Sequence, residues 1–325
     1  GILDLSYRNY LFLQVTGRND WSSTLPTTSN SFFYPSASLS FAFTDAFAMG
    51  SVKNWLDFGK VRVAYAQSAN GTDPYQLNFV YSANVFGGVG TRTLPTTLPP
   101  LFLEPQRSNS YEIGTQLAFF RNRLNVDFTW YKINSTKQIL DAPIPISSGA
   151  DRIRFNTGEL QNKGFEFIVR GRVVSNKSFG WDITVNGAHN QNKVVALDEG
   201  VDAYPLDNVF GLAYGAGMQV GVGDNYGNIY GYDYKYLNGQ RVVQKLLGNN
   251  GETIGTRYVT TDAPVVIGNA TPKLTGGIGN VFKYGNFSLY ALVDFKWGGD
   301  IFSFDYSAAM GNGLAPETLK ERNGG

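Results

Sequence analysis

The sequence contains no cysteine and a single histidine, His189, among its 325 residues. Without cysteine, the chain has neither a disulfide framework nor a thiolate that could bind a metal or act as a nucleophile. The formal net charge is +1, which gives no reason to expect a nucleic-acid partner. Charged residues make up only 16% of the chain, which is few for a protein whose whole surface faces water.

Long apolar runs are also missing. No stretch of about 18 apolar residues occurs, so the sequence predicts no transmembrane helix. No basic segment followed by an apolar one is present, so no signal peptide is visible. The chain opens inside an alternating segment, and we therefore expect its ends to be cuts through a larger protein.

The sequence is instead rich in segments in which every second residue is apolar. In residues 124–131, Leu124, Val126, Phe128 and Trp130 alternate with polar residues. Successive side chains of a strand leave opposite faces of the sheet, so a period of two predicts a β-strand. One face is large and aromatic and the other carries charges, which fits a sheet that has lipid on one side and water on the other. Aromatic residues at 14% and 38 glycines are also usual for a membrane β-barrel.

Ten strands are predicted from this alternation, at 2–7, 10–20, 33–44, 59–69, 108–120, 124–140, 163–174, 181–191, 273–283 and 286–297. Their connections alternate between tight polar turns and long segments, and the long segments are 21–32, 70–107, 141–162 and 192–272. The intermediate connection 45–58 is predicted to hold a short helix with Phe47, Trp55 and Leu56. Short turns alternating with long loops are typical of an outer-membrane barrel. The predicted fold class is therefore all-β, a transmembrane antiparallel up-and-down β-barrel.

A soluble β-sandwich also alternates, and it is the main structural alternative. In a sandwich the apolar face is a core, and the outer face carries scattered lysine and glutamate. Here the apolar stripes run unbroken for four or five positions in several strands, which favours lipid-facing strands. The barrel interpretation requires Phe128, Trp130, Leu289 and Val293 to lie outside any compact interior.

Seven stretches, in order along the chain, resemble SusC/RagA-type TonB-dependent transporters. They are 9–23 (NYLFLQVTGRNDWSS), 33–41 (FYPSASLSF), 61–71 (VRVAYAQSANG), 103–114 (LEPQRSNSYEIG), 156–166 (NTGELQNKGFE), 267–273 (IGNATPK) and 297–302 (WGGDIF). Each match is modest alone, and together they span nearly the whole chain. The resemblance places residues 1–325 in the middle and later part of the family's barrel.

The resemblance implies a plugged barrel of roughly 22 strands in a Bacteroidetes-type outer membrane, of which this chain supplies about ten. It implies a SusD-like surface lipoprotein that lids the barrel, and import of glycans or peptides driven by TonB with ExbB and ExbD. The plug domain and the final barrel strands have no counterpart in 1–325, so we predict one partial barrel domain. Many members carry an aspartate-rich loop before the stretch at 267–273. Residues 236–252 lack most of the oxygen ligands that Ca²⁺ needs, so we predict no metal and no cofactor.

Candidate contacts with a substrate or a lid are five tyrosines of the long loop, Tyr226, Tyr230, Tyr232, Tyr234 and Tyr236. Aromatic rings stack on sugars and anchor protein partners, and packing of the loop against itself or its lid is the alternative. Weaker candidates on the same reasoning are Asn70, Asp73 and Tyr75. A mixed-charge lumen with many loop tyrosines favours a neutral oligosaccharide slightly, and a peptide stays open.

No residue pattern predicts catalysis. His189 has no nucleophile or acid beside it in the sequence and is predicted to be a strand residue near the outer rim. We therefore predict an importer and not an enzyme. A passive porin or adhesin barrel uses the same strand pattern, and a soluble carbohydrate-binding sandwich is the third hypothesis.

Overall fold

The computed structural model describes residues 1–100, 102–197, 201, 203–206 and 215–319. It divides into two compact units. The first comprises Gly1–Asp202 with Lys273–Trp297, and the second comprises Ala203–Pro272 with Gly298–Gly325.

In chain order the strands are β1 (Ile2–Tyr7), β2 (Leu11–Trp21), β3 (Ser31–Ala42), β4 (Leu56–Asn70), β5 (Ser82–Phe86), β6 (Val89–Thr93), β7 (Thr97–Leu98), β8 (Gln106–Phe119), β9 (Leu124–Pro143), β10 (Arg152–Ser175), β11 (Phe179–Ala196), β12 (Ala203–Pro205), β13 (Ala216–Gly221), β14 (Asn228–Gly231), β15 (Tyr236–Leu237), β16 (Gln240–Arg241), β17 (Val243–Leu247), β18 (Thr253–Tyr258), β19 (Val265–Asn269), β20 (Leu274–Tyr284) and β21 (Phe287–Trp297). The α-helices are α1 (Phe43–Ala46) and α2 (Phe304–Gly311), and 3-10 helices span Gly50–Asn54, Ile146–Ser148 and Pro316–Leu319. No helix among the described residues is long and apolar enough to cross a membrane.

The first unit is built on one continuous sheet, which we call the wall. Its strand order is β1-β2-β3-β4-β8-β9-β10-β11-β20-β21, and β7 adds a short parallel pairing to the start of β10. All the other wall pairs are antiparallel, and each wall strand pairs with the next wall strand along the chain. All ten predicted strands are therefore present, in the up-and-down order that the sequence indicates.

One face of the wall is a continuous apolar surface. Residues directly opposite each other on paired strands share a face. One row of such partners runs through Leu5, Leu13, Leu39, Val63, Ile113, Trp130, Phe165 and His189. Phe128 and Trp130 are 39% exposed, and Leu289 and Val293 are 63% and 60% exposed. The outward apolar face is thus confirmed, and the sandwich alternative is wrong, because among the described residues these side chains stay exposed and are not a covered core.

The tight turns gather at one end of the wall. The turn between β1 and β2 comprises the three residues Arg8, Asn9 and Tyr10, because Tyr7 pairs with Leu11. Arg8 and Asn9 take left-handed φ angles of 48° and 58°, and the Tyr10 amide donates to the Tyr7 carbonyl oxygen at 3.2 Å.

Two short helical turns occur at connection 45–58, α1 and the 3-10 helix Gly50–Asn54, but the residues predicted to form the helix lie outside both. Phe47 and Trp55 are the C-cap residues that follow these turns. Leu56, however, begins β4 and is buried.

At the opposite end, a small core fixes the longer connections of the first unit. Leu103 is fully buried beside Leu25 and Phe32. The Asn156 side chain donates to the carbonyls of Glu104 (2.8 Å) and Lys137 (2.9 Å) and accepts from the Glu104 amide (2.6 Å). These bonds hold the segment before β8 against β9 and β10.

Strand β10 is longer than predicted, because it begins at Arg152 and the expected loop 141–162 shortens to 144–151. Residues 156–163 are almost all polar. A strand that rises out of the membrane has water on both faces and therefore loses its apolar alternation. The sequence signal ends at the membrane boundary, while the strand continues.

The predicted long segment 192–272 contains its own structure. Strands β12, β13, β14 and β19 form a four-stranded sheet in the second unit. Two hairpins, β15–β16 and β17–β18, lie between β14 and β19 in the chain.

Candidate functional site

The polar face of the wall carries paired charges. The Arg62 guanidinium contacts the Asp127 carboxylate through Nη2–Oδ1 at 2.7 Å and Nη1–Oδ2 at 3.3 Å, and it also donates to Thr129 Oγ1 at 2.5 Å. Gly114 lies opposite Arg62 in the neighbouring strand, and a Cβ there would come within 2.6 Å of Arg62 Nε. Glycine at this position lets the arginine cross β8 to reach β9.

Beside this pair, the polar face forms a depression of about 350 Å³. Its polar lining is Glu112, Thr129, Tyr131, Asn162, Glu166 and Asn190. The Tyr131 hydroxyl donates to Asn190 Oδ1 at 3.2 Å, and the Asn190 amide donates to Asn162 Oδ1 at 3.2 Å. Such amides and hydroxyls can exchange hydrogen bonds with water or with a passing polar solute.

A larger concavity of about 730 Å³ lies between β10, β11, β20 and β21. Glu166, Asp294 and Lys296 supply its charges, so both signs are present. Gly276 lies beside it, and a Cβ on Gly276 would come within 2.4 Å of the Asn186 carbonyl oxygen. The glycine-rich β20 therefore packs closely against β11, which explains why its alternation is the weakest among the wall strands.

The five loop tyrosines differ in their surroundings. Tyr230 lies in β14, is only 8% exposed, and donates its hydroxyl to Asp224 Oδ2 at 2.5 Å. Burial first, and then the bond to Asp224, raise the pKa of Tyr230 above its ordinary value. Asp224 Oδ2 also accepts from the Gly221 amide at 2.7 Å, so this tyrosine is tied into the packing of its loop.

Tyr226 and Tyr232 are nearly half exposed, one before β14 and one after it. Tyr234 forms an isolated bridge with Thr260, and Tyr236 begins β15. The structure brings Tyr234 and Tyr236 together around Arg241, a residue that no sequence pattern indicated.

Arg241 is the centre of an aromatic cluster, which we call the arginine cluster: Arg241, Tyr234, Tyr236 and Tyr258. Its Cζ lies 4.4 Å from the Tyr234 ring centroid and 5.3 Å from that of Tyr258. The two rings are 5.2 Å apart at an interplanar angle of 65°. A hydrogen bond to Tyr236, its cross-strand partner, holds the pKa of Arg241 above its ordinary value.

The weaker candidates belong to the first unit. Asn70 ends β4 and pairs with Gln106. Asp73 lies close enough to Arg154 for electrostatic attraction, and Arg154 forms an ion pair with Asp141 at 2.6 Å. Tyr75 is exposed and has a φ of 65°. The roles of Asn70, Asp73 and Tyr75 as contacts for a substrate or a lid stay predictions.

His189 lies in β11, where it was predicted to be a strand residue. Its Nδ1 is 2.5 Å from the Lys273 carbonyl oxygen, and its ring packs 5.5 Å from that of Phe165. Within the described part of the chain, no group of three or more acidic or histidine side chains could hold a metal ion.

The sequence did not reveal Asn162, Asn190, Arg241 or Tyr258 as site residues. Asn162 and Asn190 meet only through the register of β10 and β11, and Arg241 meets Tyr258 only through the approach of two separate hairpins. The sequence contains one indication of the depression on the polar face: Tyr131, which contacts Asn190 there, lies on the polar side of its alternating segment.

Comparison with known proteins agrees with this architecture. The family model "TonB dependent receptor-like, beta-barrel" matches residues 2–313. TonB-dependent receptors P3 and P26 of Formosa agariphila are 28% and 29% identical to this chain over 98% and 89% of its length. The chain spans 33% and 31% of those two proteins, about a third of their length.

A solved structure shows the same fold. The structure of the RagAB peptide transporter superposes with a TM-score of 0.71 at 21% identity, covering 89% of this chain and 32% of that one. The resemblance to SusC/RagA-type transporters and the outer-membrane β-barrel fold are thereby confirmed. With a two-faced wall and a family match over most of its length, the chain belongs to the TonB dependent receptor-like, beta-barrel family of the bacterial outer membrane.

Proposed function

We propose that the full-length protein is a TonB-dependent importer of the SusC type, which takes up glycans or peptides. The observation that carries this proposal is the two-faced wall. Its apolar face exposes Phe128, Trp130, Leu289 and Val293, and its polar face carries charges of both signs. A sheet of this kind separates acyl chains from an aqueous passage.

The domain arrangement is part of the same proposal. Residues 1–325 form part of the barrel domain, and the plug and the remaining strands lie elsewhere in the full-length protein. In support, the chain spans about a third of the length of the curated relatives that it matches. TonB with ExbB and ExbD would act through the plug, and outer-membrane lipid would cover the apolar face.

A SusD-like lipoprotein is the proposed surface partner. In support, residues 9–23 and six further stretches resemble SusC/RagA-type transporters, and that resemblance implies such a partner. Four partly exposed loop tyrosines, Tyr226, Tyr232, Tyr234 and Tyr236, are proposed contacts for the substrate or the lid, together with Asn70, Asp73 and Tyr75. Tyr230 is the exception, because its burial favours a packing role.

The test is uptake in living cells. Deleting the gene should abolish accumulation of the labelled substrate class, and collapsing the proton gradient with an ionophore should stop uptake in wild-type cells. Uptake that persists without the gradient would favour the passive porin and contradict the importer. In parallel, the tagged protein should copurify from outer membranes with a surface lipoprotein, and a monodisperse cytosolic protein would contradict the whole account.

A further inference from the structure

The arginine cluster holds a cation of the second unit against aromatic rings. Arg241 lies against two tyrosine rings and donates to Tyr236, yet it forms no ion pair within the part of the chain that the structure describes. Lys235 in the same unit is neutralised by Asp262, with both carboxylate oxygens at 2.7 Å. A guanidinium held in place without a counter-ion can receive an anion from outside.

The geometry leaves the donors of Arg241 usable. Stacking on aromatic rings uses the flat face of the guanidinium, whereas its N–H groups point outward in the plane. The Tyr236 hydroxyl occupies part of that edge. The remaining edge keeps the fork that binds a carboxylate through two parallel hydrogen bonds. Because the rings already restrict the side chain, less entropy is lost when the anion binds.

A second cation lies on the same hairpin face. In the β17–β18 pairing, Tyr258 is opposite Val243, and Lys245 follows two residues later on the same side as Tyr258. Lys245 is exposed and forms no ion pair with any described residue. Arg257 is opposite Gln244 and therefore faces the other way. Four residues of strand-paired chain, about 13 Å at the rise of a β-strand, separate Arg241 from Lys245, which suits an extended ligand that repeats its negative charge.

The tyrosines favour a sugar as the carrier of that charge. Tyr234, Tyr236 and Tyr258 are 38%, 53% and 46% exposed, so the cluster offers aromatic surface beside its cation. The C–H face of a pyranose ring stacks on such surface, while a carboxyl group on the same ring can reach the guanidinium. An acidic peptide side chain would pair with the guanidinium but would not stack on the tyrosine rings.

We propose that the arginine cluster binds the carboxylates of a uronate-containing oligosaccharide. This rests on the proposed import function and deepens it, because it assigns an acidic glycan where the sequence favoured a neutral one. Arg241 pairs with one carboxylate of the oligosaccharide, and the tyrosine rings stack on the sugar that carries it. Lys245 attracts a further carboxylate along the oligosaccharide.

The test is binding to the purified full-length protein in detergent, measured by calorimetry with hexagalacturonate as the probe. Fully methyl-esterified hexagalacturonate keeps the sugar rings and removes the charges. Hexaglutamate keeps the charges and removes the rings. Wild-type protein should bind hexagalacturonate at least about tenfold more tightly than either, and its affinity should fall as salt rises.

Arg241→Gln should weaken hexagalacturonate binding by about tenfold or more, whereas Arg257→Gln, on the opposite hairpin face, should leave it nearly unchanged. Arg241→Lys retains the charge, and binding should still weaken several-fold because the bidentate fork is lost. This second variant tests the site even if the glutamine variant disturbs the hairpins.

Three results would overturn the proposal: equal affinity for the acid and its methyl ester, equal effects at Arg241 and Arg257, or preference for hexaglutamate, which would assign an acidic peptide. Binding in detergent needs no energy source, so these failures are separate from failure of gradient-dependent uptake. If gradient-dependent uptake is unaffected by Arg241→Gln, the proposed import function is still supported and only the proposed glycan site at the arginine cluster is contradicted.

Discussion

Leu39 and Ser38 allow the two faces of the wall to be tested with neighbouring residues. Leu39 lies in the apolar row between Leu13 and Val63, while Ser38 points to the polar face opposite Gln14. Arginine at position 39 would be placed among acyl chains, and arginine at position 38 would be placed in water. Both substitutions introduce the same charge at neighbouring positions, and they place it on opposite faces of the wall.

The expected size of the effect follows from the depth of Leu39. Its partner Leu13 follows the turn at Arg8 and Asn9 by about four residues. With a rise of about 3.3 Å per residue and a strand tilt of about 40°, Leu39 lies about 10 Å from the turn. The apolar band of such barrels is about 25 Å tall, so this position is near the membrane midplane. We expect Leu39→Arg to lower the free energy of unfolding by about 2–4 kcal/mol, and Ser38→Arg by less than about 1 kcal/mol.

The assay is urea unfolding of the full-length protein in lipid vesicles, followed by tryptophan fluorescence and by the gel mobility of the folded barrel. Leu39→Ala is the control, because it removes the leucine without adding a charge. Equal costs at the two positions, or a larger cost at Ser38, would refute the assignment of the lipid-facing side.

Three further outcomes are expected. Asp127→Asn weakens a bidentate ion pair whose side chains are about one-third exposed, so the free energy of unfolding should fall by about 1 kcal/mol in the same urea assay; an unchanged midpoint would show that the pair contributes nothing. Asn156→Ala removes three hydrogen bonds and should speed amide exchange at Glu104, where slow exchange would contradict the bracing role. Because burial raises the pKa of Tyr230, the folded unit holds that proton more tightly than the unfolded chain. The resulting stability is present below about pH 10 and should be lost as pH rises through the folded pKa, and Tyr230→Phe should flatten this dependence in unfolding midpoints measured from about pH 9 to 11.

The wall was predictable because the membrane imposes a simple rule on each strand. Where lipid covers one face and water the other, alternate residues must differ, as in 124–131. The ten predicted strands agree with the structure except at their ends, and most clearly at the start of β10. There the chain has left the lipid, both faces are wet, and hydrogen bonding to β9 continues without an apolar pattern.

The candidate site was less predictable because its contacts join residues that are distant in the sequence. A run of tyrosines drew attention to Tyr234 and Tyr236, but Arg241 and Tyr258 join them only when two hairpins meet. Similarly, Arg62 reaches Asp127 across an intervening strand, and only the register of β4, β8 and β9 brings them together. Periodicity gives the face on which a residue lies and not its neighbour on that face.

The long connection between β11 and β20, which includes residues Ala203–Pro272 of the second unit, has a consequence for folding order. Every other wall strand meets its partner across a shorter connection, whereas β20 can join β11 only by closing the loop formed by the whole segment 197–273. This connection is roughly tenfold longer than the one at 144–151, so closing it costs about 2 kcal/mol more in chain entropy. We therefore expect strands β1 to β11 to pair first, each with its neighbour along the chain. The β20–β21 hairpin should form separately and then pair with β11 last.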